Sequence, residues 1–78
     1  MKKINWVPHD GGYLGILPCV GLTVVLRLDH GKHPATWHVS FGTARLDETF
    51  EDLADARAAG VVLARRVLTE CLVSLEAI

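Results

Sequence analysis

The chain has 78 residues with a formal net charge of −1; half of its residues are apolar and 22% are charged. That length holds one domain with one modest core, and that composition excludes an intrinsically disordered protein. Two cysteines are too few for a disulfide-stapled secreted scaffold, and no apolar run approaches the roughly 18 residues of a membrane span.

The first residues, Met1-Lys2-Lys3-Ile4-Asn5-Trp6-Val7-Pro8, lack the apolar core of a signal peptide, because Pro8, His9 and Asp10 cut it short. A cytoplasmic protein is therefore expected. Residues 3–7 form a candidate edge strand that Pro8 is expected to end. Residues 13–18 form a second apolar strand between Gly11-Gly12 and Pro18-Cys19-Val20-Gly21, but Gly15 interrupts its alternation and leaves its faces unassigned. Residues 22–29 alternate cleanly. Leu22, Val24, Leu26 and Leu28 fall on one face, and Thr23, Val25, Arg27 and Asp29 on the other. Residues 36–42 repeat the pattern, with Trp37, Val39 and Phe41 inward and Thr36, His38 and Ser40 outward. His30-Gly31-Lys32-His33-Pro34 between them reads as a hairpin turn.

From about residue 50 to 77 the apolar period changes to that of a helix. Leu53, Ala56, Gly60, Leu63, Ala64, Val67, Leu68, Cys71, Leu75 and Ile78 share one stripe, flanked by Val61 and Leu72. Thr49 and Asp52 form a variant capping box, and Asp47, Glu48, Glu51, Asp52 and Asp55 crowd the start, where the helix dipole favours anions. The fold expected is α+β: a three- to four-stranded antiparallel sheet followed by one long C-terminal helix packed on one face. A helix of that length measures roughly 40 Å, against about 25 Å for the longest strand, so part of its stripe needs a second partner.

Charge is unevenly distributed. Residues 1–45 hold five cations against two acids, and residues 46–78 three cations against seven acids, neither half basic enough for a dedicated nucleic-acid binder. Histidines at 30 and 33 flank a turn and share no helix face, and His9-Asp10 lies in another loop, so no metal set is assembled. Cys71 lies in the apolar stripe as a small hydrophobe, and Cys19 lies in a turn with no base assigned to it. Both are expected as free thiols. The expectation is a protein that is not an enzyme, with no cofactor and no metal.

Trp37-His38-Val39-Ser40-Phe41-Gly42-Thr43, followed by the Thr49-led acidic turn and Ala54-Asp55-Ala56-Arg57-Ala58-Ala59, resembles the last strand and helix of small sheet-plus-helix proteins. One such group comprises the plant AP2-type and phage-integrase arm-binding DNA domains. That resemblance implies groove reading by Arg and Trp on the exposed sheet face, of which this protein has Arg27. In size and order of elements it is also similar to short α+β proteins of phages and mobile elements, including anti-CRISPR inhibitors. That resemblance implies a non-enzymatic inhibitor that occludes a larger protein partner, in its most specific form a CRISPR effector complex.

Three surfaces are candidates for contact: Arg27 and His38 on the sheet; the acids Asp47, Glu48, Glu51, Asp52 and Asp55, as a phosphate mimic or as simple caps; and Val62, Arg65, Arg66 and Val73 on the polar side of the helix. The excess apolar arc of the helix predicts a homodimer. The alternatives are a sheet-face nucleic-acid binder using Arg27, Lys32, His38 and Arg45, and an accessory subunit or antitoxin.

Overall fold

A computed structural model describes residues 4–17, 22–31 and 34–76. Five strands, β1 (Asn5–His9), β2 (Gly12–Ile16), β3 (Thr23–Asp29), β4 (Thr36–Phe41) and β5 (Ala44–Arg45), precede one helix, α1 (Leu53–Glu76). The strands form a single antiparallel sheet in sequence order. The α+β architecture is the one the patterning predicts, with one strand more than expected.

Alternation fixes the register. Val24 sits opposite Phe41, Leu26 opposite Val39 and Leu28 opposite Trp37, so the apolar faces of β3 and β4 coincide. The faces of β2 follow from the same pairing: Tyr13 opposite Leu26 and Gly15 opposite Val24 lie on the helix side, and Leu14 opposite Val25 lies on the outer side.

The β1–β2 connection corrects the expected strand bounds. Asp10 and Gly11 both have positive φ, 45° and 75°, as a two-residue hairpin turn of mirror-image type demands. This turn lets β1 run through Pro8 to His9. Proline is tolerated because β1 is an edge strand and need not donate on its outer side.

The helix starts at Leu53 rather than near residue 50, and the reason lies in β4. Trp37 N–H donates to the Phe50 carbonyl at 2.6 Å, and Phe50 N–H donates to the Trp37 carbonyl at 3.1 Å. This bridge keeps the backbone extended through Phe50. Asp52, not Thr49, is the N-cap: its Oδ1 accepts the Ala54 N–H at 3.0 Å, and its carbonyl accepts the Ala56 N–H at 3.0 Å.

Leu17, Val24, Leu26, Val39, Phe41, Ala56, Leu63 and Ala64 make the buried core. The helix reaches β3 closely because Gly60 has no side chain: a Cβ there would stand 2.7 Å from Val24 Cγ1, and Val24 is fully buried. Helix propensity alone favours alanine over glycine by about 1 kcal/mol. Overpacking a filled core costs about 1–3 kcal/mol, so Gly60→Ala is expected to destabilise the protein in urea unfolding. A variant as stable as the parent would mean that α1 stands farther from β3 than described.

Candidate interaction surfaces

The outer sheet face is open, since α1 packs on the opposite side, against β3 and β4. Arg27 faces His38 across β3–β4, Arg45 lies opposite Ser40, and Gly12 links Arg27 to His9 on β1. The structure thus brings Arg27, His38 and Arg45 onto one face, all exposed. His38 Nε2 lies 3.4 Å from Asp29 Oδ2, and His9 Nε2 lies 3.2 Å from Asp10 Oδ2. Val7, Leu14 and Val25 form a half-buried apolar row beside these cations. Lys32, assigned to the same surface by the sequence, lies outside the described residues.

The acidic residues Asp47, Glu48, Glu51, Asp52 and Asp55 are all exposed but do not form one group at the helix start. Asp52 is the cap and Asp55 stands in the first turn, while Asp47 and Glu48 precede the extended Phe50. The helix dipole acts only within that first turn, so it accounts for Asp52 and Asp55 and not for Asp47 or Glu48.

Along α1 the buried positions are Ala56, Gly60, Leu63 and Ala64. Beyond them Val67 and Leu68 are half-buried, and from Thr69 onward every described residue is exposed. Twenty-four helical residues extend about 36 Å, whereas the seven of β3 cover about 23 Å, so the helix runs past the sheet. Leu72, Val73 and Leu75 are 56%, 58% and 68% exposed on this overhang. Cys71 is a free thiol and exposed, contrary to its expected place in the core, because the stripe it belongs to continues where no strand lies beneath it. Cys19 lies outside the described residues. Val62, Arg65 and Arg66 are exposed as expected, with Val62 62% exposed.

A fourth surface was not anticipated. Between α1 and the β1–β2 hairpin, the Arg57 Cζ lies over the Trp6 ring at 5.6 Å and over the Tyr13 ring at 5.2 Å. Tyr13 in turn meets Trp37 at 5.9 Å between ring centroids, tilted by 45°. Gly15 makes room for this group, since a Cβ there would stand 2.6 Å from the Trp6 ring. The rings and the arginine come from β1, β2, β4 and α1, and no spacing in the sequence links them.

Among the described residues no three of His, Cys, Asp and Glu converge on a point that could hold a metal ion, and no helix is long and apolar enough to cross a membrane. No protein-family model, no curated protein and no solved structure matches the sequence.

The split within the acidic group has a measurable consequence. Asp52→Ala removes a cap and is expected to cost about 1 kcal/mol. Asp47→Ala and Glu48→Ala, exposed and outside the helix, are expected to stay within about 0.5 kcal/mol of the parent. Thermal unfolding of the three variants measures the difference. Equal losses would show that the loop acids also support the helix.

Proposed function

We propose that the protein is a non-enzymatic binding protein that acts by covering a surface of a larger protein partner. Its most specific form is an inhibitor of anti-CRISPR type working in the host cytoplasm. One observation carries this reading: the overhang of α1 presents Leu72 and Leu75, neighbours on one side of the helix, where its own sheet offers them nothing to pack on. Contiguous exposed apolar surface on a small protein marks a site of contact. The free protein holds this end in a homodimer, through antiparallel pairing of the overhangs about a two-fold axis.

Light scattering across a concentration series tests the dimer. A mass of two protomers is expected at tens of micromolar, falling to one protomer in Leu72→Asp and Leu75→Asp without loss of secondary structure. Val62→Asp, on the polar side of the helix and short of the overhang, leaves the dimer intact. Cys71 is an independent reporter: its labelling by a thiol reagent should slow as protein concentration rises. A monomer mass at every concentration, with constant labelling, rules out the homodimer and leaves the overhang to the foreign partner alone.

The second reading, a nucleic-acid binder, draws on the joint placement of Arg27, His38 and Arg45 on the open sheet face. Binding through phosphates weakens steeply with salt. Retention on duplex or single-stranded DNA at low salt that is lost in Arg27→Ala would favour this reading over the first.

A further inference from the structure

The outer sheet face is not flat over β3, β4 and β5. A concavity of about 440 Å³ opens there, lined by Val25, Arg27, His38, Ser40, Arg45 and Leu46. That volume suits a small ligand. Strand register assembles the lining: Arg27 lies opposite His38, and Ser40 stands between Val25 on β3 and Arg45 on β5. Directly opposed residues on one face of an antiparallel pair have Cβ atoms about 5 Å apart, so the four polar side groups start within reach of one small group.

Both arginines are exposed, and among the described residues no carboxylate lies within ion-pair distance of either. The Ser40 hydroxyl makes no hydrogen bond among them. His38 is engaged: its Nε2 lies 3.4 Å from Asp29 Oδ2, while Asp29 Oδ1 accepts the Gly31 N–H at 2.9 Å. The open donors at the concavity are therefore two guanidinium forks and one hydroxyl.

A carboxylate has two oxygens and is served by a single fork. Two forks and a hydroxyl arriving from three strands match a tetrahedral acceptor instead. A terminal phosphoryl group offers three acceptor oxygens and nearly two negative charges, whereas a phosphodiester keeps two free oxygens and one charge. Asp29 beside His38, and Asp47 two residues beyond Arg45, bound the cluster with negative charge. The concavity thus fits one phosphoryl group and disfavours a run of them.

We propose that Arg27, Ser40 and Arg45 form a site on the outer sheet face for a single terminal phosphoryl group, as free phosphate or as the monoester of a small molecule. The site is independent of the helix overhang. It differs from nucleic-acid binding at the same arginines in requiring a phosphate end and not a diester chain.

The test follows the Arg27 and Arg45 Nε–H signals and the Ser40 amide by NMR at constant ionic strength. The probes are phenyl phosphate, inorganic phosphate, dimethyl phosphate as the diester and benzoate as the carboxylate. Saturable movement of all three signals is expected with phenyl phosphate and inorganic phosphate, and binding roughly tenfold weaker or less with dimethyl phosphate and benzoate. Tighter binding of phenyl phosphate than of inorganic phosphate identifies an ester as the source, with Val25 and Leu46 touching its carrier; equal binding identifies free phosphate. Arg65 and Arg66, exposed on the helix, should not saturate. Arg27→Gln and Arg45→Gln should each weaken phosphate binding roughly tenfold, while Arg65→Gln leaves it unchanged and all three variants keep a dispersed amide spectrum. The proposal is overturned if no signal saturates, if benzoate matches the phosphates, if Arg65 and Arg66 follow the same curve, or if Arg27→Gln or Arg45→Gln binds as the parent does. It is overturned in favour of nucleic-acid binding if dimethyl phosphate matches phenyl phosphate.

Discussion

Everything else in this structure depends on the close seat of α1 on β3 and β4. The contact forms where Gly60 exposes helix backbone to the Val24 methyl group, with Val39 and Leu26 beside it. Packing there is dense enough that Val24, Leu26, Val39 and Leu63 are all but inaccessible to solvent. In a domain with so few buried residues, this patch supplies most of the apolar burial that opposes conformational entropy. It also sets the height and line of the helix over the sheet.

From that line follow the two unfinished surfaces. A single straight helix cannot cover five strands, and this one lies over β3 and β4. Its C-terminal turns therefore pass beyond the sheet, and the helix-side face of β1 and β2 is left to side groups alone. The two gaps differ in chemistry. The overhang is aliphatic and open, suited to burial against another apolar surface. The β1–β2 side is aromatic and holds the Arg57 cation over its rings.

The outer sheet face adds a third character. Cross-strand pairing gathers Arg27, His38 and Arg45 beside the apolar row of Val7, Leu14 and Val25. These residues come from separate strands, and the meander puts them together because each strand pairs with its neighbour in sequence. Asp29, close to His38, and Asp10, close to His9, temper the positive charge at this face.

The sequence by itself determined the class of the fold, the inward faces of β3 and β4 and the existence of the long helix. These rest on periodicity, a local property written in nearby residues such as Val24, Leu26 and Leu28. The Asp10-Gly11 dipeptide suits positive φ at both positions, but Pro8 pointed the expected strand end elsewhere, and only the pairing of β1 at the sheet edge showed that the turn prevails. Tertiary structure alone decided where the helix begins, because the Trp37–Phe50 bridge competes with the first turn for the same backbone groups. It alone exposed Cys71, whose helical face looks buried until the length of the sheet is known. The Arg57 cluster was beyond reading from the sequence, because its members stand on four elements and meet only through the strand register and the closeness that Gly60 permits.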